Sequence, residues 1–423
     1  MSLAQATRWD VLIVGGGPVG ACAAALLQRS LGKTRRAMKI AVLEPNAPPA
    51  LAADAPPDSR VSALSRASER ILTAAGAWAA MPRSRLAPYE RMVVWPEGLP
   101  ARSPDALTFD AAHAGEPNLG YIAENRLVQW AALEAFKAAG GTLLAGGLSR
   151  LRIEDSQVEI DTSAGRFTCA LVVGADGARS RVRGSAGLQA RTESYRQSAV
   201  VANVSTALPH ENTAWQRFLG SGTLAFLPLA DGSSSIVWSA DQNVAAMLLS
   251  MARERFEEEL LRASDGVLGP AKLLTDRIAL PLGRLSAARF TANRCALIGD
   301  AAHVVHPLAG QGVNLGLLDA AALAECIEDA HREREDPGAA AVVRRYERWR
   351  KSEIAPMALA IDAFNRYLAH GSGPLSWLAQ QGLSWVNRSD EMKRIFISRA
   401  LGLSGELPAA ARAAGPRADA QVS

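Results

Sequence analysis

Asp10-Val-Leu-Ile-Val-Gly15-Gly-Gly17-Pro-Val-Gly20 is the stretch on which the reading of the fold turns. An apolar run ends in clustered glycines, and an Ala/Leu-rich segment follows, so strand, tight turn and helix succeed one another. The spacing is GxGxxG. Gly15 permits the turn, Gly17 lets a pyrophosphate approach the backbone, and Gly20 allows close packing of helix on strand. Pro18 suits the first helical position, and a helix is predicted over 18–31. A second strand over 39–43 completes a βαβ unit. It ends at Glu44, where a carboxylate can accept hydrogen bonds from an adenosine ribose. The fold class is α/β, with a Rossmann-like domain that binds a dinucleotide.

Two further strand-to-turn junctions lie downstream. Ala170-Leu-Val-Val-Gly174-Ala-Asp176-Gly177-Ala-Arg179-Ser180 runs from an apolar strand into a Gly/Asp turn, which alone reads as an ordinary connection. In Arg294-Cys-Ala-Leu-Ile-Gly-Asp300-Ala-Ala-His303-Val-Val-His306-Pro307-Leu-Ala-Gly310-Gln311-Gly312-Val313-Asn314-Leu-Gly316 the strand stops at Gly299-Asp300, where a carboxylate can bond a ribitol hydroxyl. A Gly-rich turn then opens an Ala/Leu-rich helix whose unpaired N–H groups and positive dipole end suit an anionic ring. His303 and His306 invite two readings, a proton-transfer role or a bond to backbone that holds the loop.

These three motifs, in this order and at these separations, resemble those of the para-hydroxybenzoate-hydroxylase-like flavin monooxygenases. Within that superfamily the chain is most similar to the ubiquinone-biosynthesis hydroxylases. The resemblance spans roughly residues 10–350, with sharper pieces at Asp58-Ser-Arg60-Val-Ser-Ala-Leu64, Asn118-Leu-Gly-Tyr121-Ile-Ala-Glu124-Asn125-Arg126, Trp215-Gln-Arg217-Phe218 and 306–316. It departs from the commonest family wording only conservatively, at Ala309 and Val313.

The resemblance implies a noncovalent FAD and a transiently docked NAD(P)H, there being no second GxGxxG. It implies hydroxylation of a polyprenylated phenol in ubiquinone biosynthesis through a flavin C4a-hydroperoxide. It places Gly15, Gly17, Gly20, Glu44 and Asp176 on the dinucleotide, Arg126 near its phosphates or ribitol, and Asp300 on the ribitol. Gly310, Gln311, Gly312, Val313 and Asn314 would cover the pyrimidine edge. Arg60 would lie near the isoalloxazine, lining the active site with His306 and Pro307. A monooxygenase of a soluble aromatic or polyketide is the alternative, and a non-catalytic flavoprotein supporting a quinone-biosynthesis complex is the second.

The 423 residues, 48% hydrophobic and 21% charged, are globular in composition. Dinucleotide-binding segments are expected over 1–83, 121–183 and 276–350, and a β-sheet-rich substrate domain over 84–120 and 184–275. A helical C-terminal region follows over 351–407, then a disordered tail over 408–423. Helix is predicted over 65–72, 125–139 and 243–262. The four cysteines have no metal or redox spacing, so no metal is expected and core thiols in a reducing compartment are. The formal charge of +4 lacks a basic tract with interleaved aromatics, which argues against nucleic acid. With no charged-then-apolar leader before Asp10, the expected location is cytoplasmic. The basic and aromatic stretch from Ile361 to Leu403, including Trp377 and Trp385, would either rest on the inner face of the cell membrane or pack against the flavin domain.

Overall fold

The computed structural model describes residues 7–52, 55–305, 311–364 and 402–412, the side chains of 311 and 355–364 excepted. The opening strand, β1 (Thr7–Val14), runs into Gly15; α1 (Pro18–Leu31) follows, and β2 (Ile40–Leu43) lies parallel beside β1. α1 has the predicted bounds because Pro18 presets φ at its first position. Val11, Leu12, Ile13 and Val14 are buried, as expected of a parallel strand covered on both faces.

Three sheets carry the rest. The first runs β18 (Thr291–Ala292), β19 (Cys295–Leu297), β11 (Gly165–Gly174), β1, β2 and β8 (Thr142–Leu144), with β10 (Val158–Thr162) paired to β11 and β9 (Leu148–Ile153) to β10. Around it pack α1, α3 (Asn125–Ala138), α7 (Gln311–Glu333) and α8 (Ala340–Phe364), with the single turn α4 (Arg181–Ser185) after β11. The second sheet has nine strands. Its order is β20 (His303–Val304), β17 (Ile278–Ala287), β12 (Ala190–Thr206), β15 (Ser234–Asp241), β14 (Gly222–Pro228), β13 (Thr213–Leu219), β5 (Arg91–Pro96) and β6 (Leu107–Asp110), with β16 (Ala271–Leu273) on β12. The third sheet, β3 (Val61–Ser65), β7 (Gly120–Glu124) and β4 (Ala87–Tyr89), stands between them; α2 (Arg66–Ala74) continues from β3.

Alternation splits the nine-stranded sheet into two faces. Val200, Trp238, Leu224, Trp215 and Trp95 form one core with α5 (Gln242–Ser250) and α6 (Arg253–Ala263). On the other face Leu227, with Leu229 beyond the strand, packs on Ala63, Ala87 and Ile122 of the three-stranded sheet.

The structure differs from expectation in three places. The helix predicted over 243–262 is two, because the chain extends at Met251 and Ala252 (ψ 144° and 153°). There Arg277 donates to Leu248 O and Met251 O at 2.6 and 2.7 Å, so carbonyls at the end of α5 need no further helical turn. β17, assigned from sequence to the third dinucleotide-binding segment, pairs with β12 in the second sheet; Pro281 and Gly283 mask its strand pattern. The tail expected to be disordered from Pro408 instead makes a 3-10 turn over Ala409–Ala411. Small side chains let it lie on α2 and α7, with Ala411 fully buried and Ala409 N donating to Glu325 Oε2 at 2.7 Å. Residues 413–423 and most of the stretch from Ile361 to Leu403, with Trp377 and Trp385, lie outside the described residues. Among the described residues no helix is long and apolar enough to cross a membrane.

The loop before Arg60 is fixed by a buried ion pair. Arg85 Nε and Nη2 meet the two Glu124 carboxylate oxygens at 2.8 and 2.9 Å, and Asp58 N donates to the same carboxylate at 2.8 Å. The side chains are only 8% and 5% exposed. Arg85→Ala strands a buried carboxylate and should cost about 3–5 kcal/mol, whereas an Arg85→Met/Glu124→Met pair should cost less. Urea denaturation of both variants tests this, and a loss for Arg85→Ala no larger than for the pair would contradict it.

Candidate functional site

The first and third motifs meet at Val19. A Cβ added to Gly299 would lie 3.2 Å from Val19 Cγ1, and one added to Gly316 2.5 Å from Val19 Cγ2, so the start of α1, the Gly299 turn and α7 touch. The second motif joins them, because Ala175 N donates to Val14 O at 2.8 Å. A Cβ on Gly15 would strike Ala175 O at 2.4 Å, and one on Gly20 would strike Gly15 O at 2.0 Å. Gly17 differs from its neighbours: a Cβ there meets nothing within 4 Å, and its φ of −61° is open to any residue. α1 has no side-chain cap, so the amides of its first turn face that opening. A backbone surface kept bare, beside uncapped donors and a positive helix end, fits the pyrophosphate of FAD.

Other expected contacts gather nearby. Glu44 accepts from Gly16 N at 2.7 Å and Asn46 N at 2.9 Å, which fixes its carboxylate at the rim of the same turn. Arg60 and Arg126 are exposed and come together at the backbone, with Asn125 N donating to Arg60 O at 3.0 Å. Asp300 reaches solvent, yet surrounding protein desolvates its carboxyl and lifts it above the ordinary carboxylate range. His303 and Arg60 oppose the rise, and Asp319 adds to it. Arg60 and Asp300, 240 positions apart, therefore share one electrostatic neighbourhood.

Two expected residues are engaged inward. Asp176 accepts from Ser180 Oγ (2.5 Å), Arg181 N (2.7 Å) and Val182 N (3.2 Å), so its carboxylate caps α4. The buried Asn314 side chain accepts from Ser65 N (2.9 Å) and Ser68 Oγ (2.7 Å) and donates to Ala63 O (2.8 Å), clamping α7 to β3 and α2. Val313 is half-buried against the core, and Gly312 has open space around it. Gln311 begins α7, its side chain undescribed; His306, Pro307 and Gly310 lie outside the described residues.

Sequence reasoning missed the network beneath the Gly299 turn. Asp319 Oδ2 takes Gly299 N at 2.9 Å and His303 Nε2 at 2.6 Å; Asp319 Oδ1 takes Arg350 Nε at 2.7 Å. Burial pushes Asp319 up, but His303 and Arg350 outweigh it and hold the carboxyl below its usual range. His303, 5% exposed, turns Nε2 into the protein, where its partner is the Asp319 carboxylate and not the backbone expected of a loop-holding histidine. The available signal was a lone acid inside the Ala/Leu run of α7. Arg183, also missed, bridges the second and third motifs by donating to Ala178 O and Ala301 O, both at 2.8 Å.

The sheet face toward β3 and β7 is neutral. Its central row is Ala199, Val201, Val237, Ser239, Ala225, Leu227 and Gln216, in cross-strand register. Arg217 points the other way and donates to Ala263 O at 2.9 Å. Beside this face a cavity of about 280 Å³ is lined by Pro56, Pro57, Arg85, Ile122, Glu124 and Leu229, among others; none of the glycine-motif residues lines it. Among the described residues no group of side chains could hold a metal ion. Cys22, Cys169, Cys295 and Cys326 are free and buried, and burial pushes Cys22 and Cys295 up to about 12.

Gly17→Val should fold normally, because its side chain enters space the protein leaves open, and should lose most of its FAD. Gly20→Val should not fold, since its Cβ meets backbone. Flavin absorbance per folded protein and thermal melting separate the two, and a folded Gly17→Val with full FAD occupancy would refute the phosphate assignment.

A family profile described as an FAD binding domain matches residues 124–354. The chain is 36% identical over 396 residues to ubiquinone hydroxylase UbiL of Rhodospirillum rubrum, covering 93% of this chain and 89% of that protein. It is 35% identical over 399 residues to 3-demethoxyubiquinol 3-hydroxylase of Escherichia coli, covering 93% and 98%. Among solved structures, p-nitrophenol 4-monooxygenase PnpA from Pseudomonas putida superposes with a TM-score of 0.73 at 20% identity, over 95% of this chain and 100% of that one, a likeness of fold. An FAD-shaped glycine cradle, a matching FAD-domain profile and sequence identity over nearly the whole of two relatives converge, and the chain belongs to the FAD-dependent hydroxylases of ubiquinone biosynthesis.

Proposed function

We propose that the protein hydroxylates the ring of a neutral polyprenylated phenol, a ubiquinone precursor, using NAD(P)H and dioxygen. The observation that carries this reading is the uncharged sheet face. A carboxylated or cationic ring would need a counter-charge on that wall, and the central row has none. The row continues through Leu280, opposite Ala199, to Ile278, opposite Val201 and 38% exposed, so an apolar tail finds apolar side chains out to the rim.

The bound FAD supplies the electron transfer and oxygen chemistry. The chain's own residues bind and orient. The amides at the start of α1 hold phosphate, Glu44 and Asp300 hold ribose and ribitol hydroxyls, and Arg60 lies on the approach to the ring. Ser235 Oγ and Asn203 Oδ1 sit on neighbouring strands of the neutral face, buried and without an internal hydrogen-bond partner. They are suited to bond the ring oxygen and set which carbon is presented. Nicotinamide docks transiently in this reading. A polyprenyl chain is costly to carry through water at roughly 25 cal/mol per Å², so substrate is met at a membrane or on a quinone-biosynthesis partner, with the stretch from Ile361 to Leu403 proposed as the contact.

FAD-loaded protein, NAD(P)H and a prenylated phenol under labelled dioxygen test the proposal by product mass. Expected are substrate-stimulated NAD(P)H oxidation and one labelled oxygen in the product. A product labelled only from water refutes oxygen transfer, and oxidation indifferent to the phenol would favour a non-catalytic flavoprotein. Ser235→Ala should raise KM for the phenol about fivefold, equivalent to one hydrogen bond of about 1 kcal/mol, without changing FAD content. Equal kcat/KM for prenylated and tail-less phenols would remove the tail from the reading and leave a soluble-aromatic hydroxylase.

A further inference from the structure

The buried carboxylate of Asp319 does more than fill hydrogen bonds. It is 0% exposed, yet it takes three donors from three separate places: Gly299 N on the positive-φ turn (φ 59°), His303 Nε2 four residues on, and Arg350 Nε on α8. Asp300, expected on the ribitol, directly follows the glycine it grips. The Asp300 carboxyl itself responds to the charges of His303 and Asp319, so the charge state of this network is felt at the cofactor-facing turn. Arg350, 2% exposed, brings the balancing cation, and its Nη2 is buried without a hydrogen-bond partner. That cation is committed to Asp319 at 2.7 Å. α8 is in turn fastened to the same strand edge, with Tyr346 donating to Leu297 O at 2.8 Å and Glu347 accepting from Phe290 N at 2.9 Å and Thr291 Oγ1 at 2.8 Å.

We propose that Asp319 is a positioning residue for FAD, and that Asp319 and Arg350, with His303 on the same carboxylate, set the reduction potential of the bound flavin through their mutual charge compensation. A single unpaired charge in a low-dielectric interior acts over many ångströms, whereas a pair in contact nearly cancels. Removing either partner therefore exposes the flavin to the other, with opposite signs. Asp319→Asn leaves the Arg350 cation uncompensated and favours the electron-rich flavin; Arg350→Met leaves the Asp319 anion and disfavours it. The inference rests on FAD binding, is independent of the substrate reading, and is tested without substrate.

The experiment measures two quantities on purified holoenzyme and its reconstituted apoprotein: the Kd for FAD by fluorescence quenching and the flavin reduction potential against a reference dye. Asp319→Asn is expected to weaken FAD binding about tenfold or more, through the freed Gly299 turn, and to raise the potential. Arg350→Met is expected to lower the potential, and Arg350→Lys, which keeps the cation, to restore it toward wild type. Potentials that stay unchanged while only melting temperature falls, or that move the same way in Asp319→Asn and Arg350→Met, would reduce the network to fold support and overturn the proposal. Should Asp319→Asn fail to fold, the comparison of Arg350→Met with Arg350→Lys decides alone: a lower potential in the former supports the proposal, and equal potentials refute it.

Discussion

Three chain segments, drawn from residues 15–20, 299 and 316, must occupy nearly the same place, and only glycine allows it. Gly20 lets α1 lie on Gly15, while Gly299 and Gly316 let the later turn and α7 close on Val19. The same approach leaves the uncapped N-terminus of α1 facing open space at Gly17. The sheet that carries these turns is built around this meeting. β1, β11 and β19 are adjacent and parallel, which delivers all three motifs to the same end of neighbouring strands. Ligands of open α/β sheets lie at that carboxyl end, and the placement of the cradle follows from topology before any side chain is considered.

Arginine does much of the internal fastening. Arg183, Arg217, Arg277 and Arg294 each donate to backbone carbonyls of two different residues, and Arg85 adds Ala55 O to its pairing with Glu124. A planar fork with five donors suits that task; a lysine ammonium would meet one carbonyl as a point charge. These cations are thus engaged by carbonyls and carboxylates of the chain itself. Charge is spent on holding loops, while the wall proposed to face substrate is left neutral.

Local signals were legible where chemistry is local. Pro18 and the glycines fix α1, and periodicity finds α3 to within a residue of its bounds. Gly15, Gly17 and Gly20 could be proposed from the chain alone because turn geometry restricts which residues can stand there, and Glu44 and Asp300 because each ends a strand, whereas Arg60 was named only by family resemblance. What the chain alone hides depends on partners remote in sequence. Nothing near Asp319 announces Arg350, 31 positions on, and nothing near Asn314 announces Ser65 and Ser68. Asp176 was read toward the cofactor, but its oxygens cap α4, an arrangement that depends on Ser180 closing the turn. The break between α5 and α6 is likewise set from outside, by Arg277.

The alternation along β13 has a consequence for evolution of the active site. Trp215 and Arg217 face the helices, Gln216 and Phe218 the opposite side. A slip of β13 by one residue against β14 would exchange the two sets, moving a guanidinium onto the neutral wall and burying a glutamine among tryptophans. That register is held by the two-residue turn at 220–221, between Leu219 and its partner Gly222, so a change of length there would move a charged side chain toward the wall proposed to face substrate. Under the proposed reading, charge at the substrate wall depends on strand register as much as on residue identity, and comparing side chains position by position would overlook it.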